Sequence, residues 1–174
     1  MSEEAIELDV GRGRSPGGSG RLFPDATLPV LDGDQLSLQR YRGRAPLVLL
    51  MLGAAEITGP AAALLDLLDG ARDAISAEGG VVLAIAAIDP ETAAHGWRWP
   101  FPLLLDHEAA LHRRVGAVDA GGAPATTLFI TDRFREIYAD LRPDEAGWPT
   151  TGGDVLEWLT FVEIQCPECN PPEF

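Results

Sequence analysis

Two long apolar runs and the helically spaced segment between them dominate the hydrophobic pattern of this chain. The runs, residues 46–52 and 81–88, are unbroken, which is typical of strands buried on both faces of a sheet. From Pro60 to about Ala77, apolar residues recur at the spacing of one helix face. A proline in the first turn and the glycine pair at 79–80 favour a helix with these limits.

The remaining pattern predicts shorter elements on either side. Extended segments are expected at 28–31, 36–38, 101–105, 127–131 and 136–141, and helices at 91–95, 107–115 (capped by Asp106) and from about Asp154 to Gln165. Buried strands joined by helical crossovers imply parallel pairing, and the late hairpin adds antiparallel strands. The pattern therefore predicts an α/β fold with a mixed central sheet flanked by helices.

The domain organisation follows from composition. Residues 1–21 end in a Gly-, Arg- and Ser-rich stretch that cannot bury a core, so we expect a flexible tail there. Residues 22–165 suit one domain. Residues 166–174 form a second tail, which holds a C-x-x-C motif.

The strongly negative net charge argues against polyanions as binding partners. The net charge is −14, and all 13 basic residues are arginine. Such a surface disfavours nucleic acid and anionic membranes, and the lack of lysine excludes Schiff-base chemistry. No apolar run approaches the roughly 18 residues that span a bilayer, and the start shows no signal-peptide pattern. We therefore expect a cytoplasmic protein.

Cofactor and metal motifs are weak or missing in the sequence. No G-x-G-x-x-G or G-x-x-x-x-G-K-[ST] pattern occurs, so we expect no nucleotide cofactor. His107 and His112 are five residues apart, which on a regular helix turns them to different sides and argues against a shared metal. His95 stands near Trp97 and Trp99, a stretch that we interpret as a loop anchor rather than a pocket.

Several short motifs, in order, resemble the thioredoxin fold in its peroxiredoxin-like branch, the alkyl hydroperoxide reductase/thiol-specific antioxidant (AhpC/TSA) family. The resemblance covers roughly residues 22–161. The first motif, Leu28-Pro29-Val30-Leu31-Asp32-Gly33 through Leu38-Gln39-Arg40-Tyr41-Arg42-Gly43-Arg44, resembles the opening of that family. The others are Phe101-Pro102-Leu103-Leu104-Leu105-Asp106, Leu111-His112-Arg113-Arg114-Val115-Gly116 and Leu128-Phe129-Ile130-Thr131-Asp132-Arg133.

The resemblance implies an active site between the first central strand and the following helix, at Thr58-Gly59-Pro60-Ala61. Thioredoxins carry C-G-P-C there and peroxiredoxins T-x-x-C. The Gly-Pro centre and the threonine are kept, but Ala61 stands where the peroxide-attacking cysteine is expected. Peroxidase chemistry at this site is therefore not expected, because a methyl group cannot attack a peroxide.

Two further positions bear on that site. Thr58 is expected to cap the helix rather than act as a nucleophile, since no base is evident nearby in sequence. The resemblance also implies a cis-proline just before the third central strand, at about Thr126. Pro124 lies two residues earlier, and it is either that proline, displaced, or an ordinary loop proline.

The two cysteines, Cys166 and Cys169, form the C-x-x-C of the C-terminal tail. They follow a helix C-terminus and lie among Glu163, Glu168 and Glu173, an environment that raises a thiol pKa and slows attack. Three interpretations stay open: a reversible redox pair, half of a four-cysteine zinc site shared across a dimer, and an inert pair.

The sequence thus predicts a redox protein of the antioxidant group whose catalytic candidates are Cys166 and Cys169, acting with a thiol-disulfide partner protein. The alternative is a non-enzymatic module that binds a partner or forms a homodimer through the vacant loop.

Overall fold

A five-stranded mixed sheet forms the centre of the molecule. The structure, a computed structural model, describes residues 18–53 and 57–165. The strands of this sheet are β3 (Leu47–Leu52), β4 (Val81–Ala86), β5 (Leu103–Leu105), β6 (Thr127–Thr131) and β7 (Ile137–Leu141), and a separate hairpin pairs β1 (Thr27–Pro29) with β2 (Gln35–Ser37). The order across the sheet is β5-β4-β3-β6-β7. The three strands β3, β4 and β5 are parallel, while β6 and β7 are antiparallel to their neighbours, which confirms the mixed sheet.

Helices cover both faces of this sheet. They are α1 (Gly59–Gly70), α2 (Arg72–Ala77), α3 (Pro90–Gly96), α4 (Ala110–Val115) and α5 (Gly152–Ile164), with 3-10 turns at Leu38–Tyr41 and His107–Ala109. Successive side chains of β3 point to opposite faces, so its six apolar residues serve two cores. Val48, Leu50 and Leu52 pack with α1, α2 and α5, whereas Leu47, Leu49 and Met51 pack with Phe23 and α4.

The chain before β1 lies along the edge strand β7. Ser19 donates its N–H to the carbonyl of Ile137, and Ile137 donates back to Arg21. Phe23 is fully buried and its ring meets Phe129 edge-on at 5.4 Å. This segment covers an edge that would otherwise present unpaired backbone groups.

Two helices differ from the sequence prediction. The helix expected from Pro60 to Ala77 is divided at Ala71, whose φ of −97° and ψ of 3° leave the helical region. The helix expected over 107–115 begins only at Ala110, because Glu108 and Ala109 have left-handed φ values of 63° and 54°. Apolar spacing continues across both breaks, so periodicity does not reveal them. Likewise the extended segment expected at 36–38 ends at Ser37, where a 3-10 turn begins.

Candidate functional site

The four residues of the degenerate loop lie where β3 leads into α1. Thr58 precedes the helix, and Gly59 has a φ of 57°, a left-handed value that explains why glycine occupies the position. Pro60 and Ala61 form the first turn. Ala61 is only 8% exposed, so its methyl group forms part of the wall of a cleft rather than of the surface.

Thr58 occupies the cap position without acting as a cap. Its backbone is extended (φ −133°, ψ 177°), but its side chain makes no capping hydrogen bond to α1. The expectation that Thr58 caps the helix is therefore wrong as far as its hydroxyl is concerned. The Gly59-Pro60 turn begins this helix instead. Proline is favourable in the first turn because a backbone N–H at that position would have no acceptor within the helix.

A cavity of about 200 Å³ opens beside this turn. It is lined by Leu52, Gly53, Ile57, Thr58, Pro60, Ala61, Thr126 and Pro143. The first N–H groups of α1 supply the partial positive charge that stabilises a thiolate in a redox site. None of these lining residues carries sulfur. The cleft therefore lies beside a helix N-terminus that would favour a thiolate, but its described lining contains no thiol.

The back of the cleft is held by a close approach between two chain segments. Gly53 donates its N–H to the hydroxyl oxygen of Thr126 over 3.3 Å. A Cβ at position 53 would lie 2.5 Å from backbone atoms of Ala125 and Thr126, so only glycine fits there. Thr126 thus lies opposite the Thr58 turn, where the resemblance placed a cis-proline. No peptide bond between described residues is cis, so Pro124 is an ordinary trans proline.

A buried histidine fixes the end of β3. His112 is fully buried, and its Nδ1 lies 2.6 Å from Asp106 Oδ2 while its Nε2 lies 3.1 Å from the carbonyl oxygen of Leu52. Both ring nitrogens face acceptors, so the two bonds form together when the ring carries both protons. Leu52 also lines the cleft. His112 therefore ties α4 to the floor of the site.

Asp106 completes this buried pair. Its two oxygens also accept the N–H groups of Leu111 (3.0 Å) and His112 (2.8 Å), which are the second and third residues of α4. Burial raises the pKa of the Asp106 carboxyl, but the hydrogen bond from the His112 ring and those from the two backbone groups outweigh it and lower the pKa. Asp106 caps α4, as expected, although that helix starts three residues late.

Sequence reasoning missed the Asp106–His112 pair. A regular helix beginning at His107 was expected, and on such a helix the His112 ring would not contact the Asp106 carboxylate. The left-handed residues Glu108 and Ala109 change the direction of the chain, so that the His112 ring contacts the Asp106 carboxylate. An apolar segment ending in aspartate, followed six residues later by the histidine, is the signal that could have suggested it.

A second and larger cavity, about 590 Å³, lies on the other side of Thr58. It is lined by Ile57, Thr58, Ile88, Asp89, Glu91, Thr92, His95 and Gly96. The structure therefore brings His95 to the same cavity as Thr58, which the sequence did not predict. Trp97 and Trp99 pack against each other at 5.1 Å, and their indole N–H groups bond Phe101 and Asp66, as expected of loop anchors.

Cys166 and Cys169 lie outside the described residues. The last described residue, Gln165, shares a small crevice with Asp132, Arg133 and Glu163. Asp132 follows Thr131, which pairs with Leu47 at the start of β3, while the Thr58 cleft lies at the other end of that strand. Within the described ranges, no group of three or more potential ligands could hold a metal ion, and no helix is long and apolar enough to cross a membrane.

The family model for AhpC/TSA matches residues 19–139, well over half of the chain. The chain belongs to the AhpC/TSA family. Among curated proteins no sequence matches significantly.

Solved AhpC/TSA-like structures share the fold. Peroxidoxin BcpB from Mycobacterium tuberculosis superposes with a TM-score of 0.65 at 17% identity, over 84% of this chain and 96% of that one. AhpC from Mycobacterium bovis gives 0.68 at 19%, over 83% and 92%. The reduced 2-Cys peroxiredoxin of Plasmodium vivax gives 0.70 at 14%, over 87% and 83%. The thioredoxin-like fold is thereby confirmed, and at these identities the likeness concerns the fold alone.

Proposed function

We propose that this AhpC/TSA member is a redox protein that exchanges disulfides with a partner protein through Cys166 and Cys169, and that it does not reduce peroxides at the Thr58–Ala61 loop. One observation carries the proposal. The cleft at the start of α1 presents the methyl group of Ala61, and no residue lining it carries sulfur. The chain has two cysteines, both in the C-terminal segment, so any thiol chemistry belongs there.

The position of Gln165 supports a partner rather than the Thr58 cleft as the target. Thr126 lines the cleft and Asp132 lies beside Gln165, and the six residue-to-residue steps from Thr126 to Asp132 span about 20 Å of extended chain. The four residues from Gln165 to Cys169 reach at most about 14 Å. This difference in length favours a partner protein, rather than the cleft of the same chain, as the target of the pair.

The exchange balances without a cofactor. A thiolate of the pair attacks the partner's disulfide, one partner sulfur leaves as a thiolate, and a mixed disulfide forms. The second cysteine then attacks the mixed bond, so that two thiols here become one disulfide and the partner's disulfide becomes two thiols. Two electrons and two protons move to the partner.

Mass spectrometry of the intact chain tests this proposal. With an oxidised thioredoxin-like protein as partner, the reduced chain should lose about 2 Da as one disulfide replaces two thiols. Cys166→Ser should abolish that loss, whereas Ala74→Ser, an exposed change on α2, should leave it intact. Retention of both free thiols in the wild-type chain would refute the redox proposal and leave an inert pair.

A second function, a non-enzymatic module that binds a partner or forms a homodimer, is favoured by a different observation. The cavities on both sides of Thr58 stay open although no described residue lining them carries sulfur. In a homodimer, the C-x-x-C motifs of two chains supply the four thiolates of a structural zinc site. Zinc content and molecular mass of the purified protein test this form. Metal far below one ion per two chains would remove the zinc site, and a monomeric mass would remove the dimer.

A further inference from the structure

The larger cavity beside Thr58 lies where α/β proteins place their ligands. Ile57 and Thr58 follow β3, and Ile88 and Asp89 follow β4, which is its parallel neighbour. Small molecules bind in crevices at the carboxyl ends of such strands. The volume, about 590 Å³, falls within the range of small-molecule sites.

The polar groups of this cavity are mostly hydrogen-bond acceptors. Asp89 is fixed by Thr92, whose N–H and hydroxyl donate to its two oxygens over 2.9 and 2.6 Å. These bonds, the hydroxyl first, lower the pKa of Asp89, so its carboxylate stays charged at neutral pH. His95 Nδ1 lies 2.7 Å from the carbonyl oxygen of Glu91, and since a carbonyl only accepts, Nδ1 carries the proton. In the neutral ring Nε2 is then an acceptor.

The apolar part of the lining comes from Ile57 and Ile88. No arginine is among the described lining residues, so no guanidinium there pairs with the carboxylates or attracts an anion. Asp89, Glu91 and His95 are exposed around the cavity, so the ligand complementary to this lining carries N–H donors, a positive charge and an apolar portion.

We propose that this cavity binds a small organic ammonium compound, with its ammonium group at Asp89 and His95 and its apolar part against Ile57 and Ile88. The inference rests on the binding module proposed above and does not depend on the cysteines. Thr58 lines this cavity as well as the vacant cleft, so a ligand bound here lies next to the Thr58–Ala61 turn.

Three probes with the same six-carbon chain test the proposal: hexylamine, hexan-1-ol and hexanoate, titrated by calorimetry in about 0.15 M salt, where distant charges are screened. Hexylamine should bind saturably and at least about tenfold more tightly than hexan-1-ol, and hexanoate should not bind. Equal binding of amine and alcohol would overturn the ammonium site while leaving a binding module in place. Binding of none of the three would overturn both the ammonium site and a small-molecule role for the module.

Variants locate the site. Asp89→Asn keeps a good N-cap residue for α3, so the fold is preserved, but it removes the charge, and hexylamine binding should weaken at least about tenfold. His95→Phe keeps the ring and removes the acceptor, and should weaken binding a few-fold. Glu78→Gln removes an equal charge at the exposed end of α2 and should change nothing. An equal loss in Glu78→Gln and Asp89→Asn would show that only net charge attracts the amine and would refute the site.

Discussion

The two ends of β3 differ in what they offer to thiol chemistry. At the carboxyl end of β3, a turn, a helix N-terminus and a cleft are all present, and Ala61 supplies only a methyl group. At the other end, Gln165, the last described residue, lies beside Asp132, Arg133 and Glu163, and the sequence that follows it holds both cysteines. The comparison teaches that a turn, a helix N-terminus and a cleft can occur together in an AhpC/TSA chain with an alanine, and no sulfur, at the start of the helix.

A buried side-chain pair holds the cleft end, and removing it should have the largest effect. His112→Ala leaves the Asp106 carboxylate buried without its ring partner and the Leu52 carbonyl without its donor. Breaking a buried pair in this way costs about 3–5 kcal/mol. Urea unfolding measures the loss in the free energy of unfolding.

His107→Ala is the matched control, because His107 is exposed on the preceding 3-10 turn. Its effect should lie within about 0.5 kcal/mol of zero. Similar losses in the two variants would show that the buried pair does not brace the cleft.

Restoring sulfur to the cleft end should produce the next largest effect. In a chain carrying Cys166→Ser and Cys169→Ser, Ala61→Cys places a thiol at the third residue of α1, where the helix N-terminus lowers a thiol pKa. The pH at which its alkylation by iodoacetamide reaches half the maximal rate should lie at least about one unit below that of a thiol at Thr160, which is exposed near the end of α5.

The comparison with Thr160→Cys in the same background decides the point. A thiol at position 61 whose half-maximal pH is no lower than that of the thiol at 160 would show that the start of α1 does not stabilise a thiolate.

Acid should loosen the cleft end through Asp106. The pKa of Asp106 is lower in the folded chain than in the unfolded one, so its stabilising contribution is complete above the unfolded value of about 3.9. It is lost as the pH falls through the folded value. Unfolding of the wild type and of Asp106→Asn from pH 6 to 2.5 should therefore show a stability difference that shrinks below about pH 4. A constant difference would contradict the assignment.

The smallest expected effects are the stability losses on replacing the threonines that precede α5 and α1. Thr151 accepts the N–H of Asp154, whose carboxylate accepts the N–H of Thr151 in return, and the pKa of Asp154 is lowered by its backbone bonds to Thr150 and Thr151. Thr151→Ala should cost about 1 kcal/mol. Thr58→Ala should cost less than about 0.5 kcal/mol, because the Thr58 side chain makes no capping bond. Equal thermal shifts would mean that Thr58 caps α1 after all.

Much of the fold could be predicted because its main signal is local. The buried runs at 46–52 and 81–88 contain β3 and β4, and the late hairpin pairs as the alternation indicated. The break at Ala71 and the left-handed pair at 108 and 109 left no trace in the apolar spacing. Residues with β-carbons rarely take the left-handed conformation, so no sequence rule predicts it at Glu108 and Ala109.

The site was only half accessible to sequence reasoning. The Thr58–Ala61 turn was found because Gly59 and Pro60 leave a local signature. The partners that shape it, His112 and Thr126, come from distant positions and meet it only through the folded sheet. Neither contact involves spacing that a linear pattern can reveal.

The most direct test of the central claim is hydrogen peroxide consumption by the full chain carrying Cys166→Ser and Cys169→Ser, with a thioredoxin-like protein and its reductant as electron donor. The account predicts that peroxide decays at the rate found when this chain is left out, because the Thr58–Ala61 cleft contains no thiol. Turnover above that background, lost again on Thr58→Val, would show that the cleft reduces peroxide without sulfur and would contradict the account.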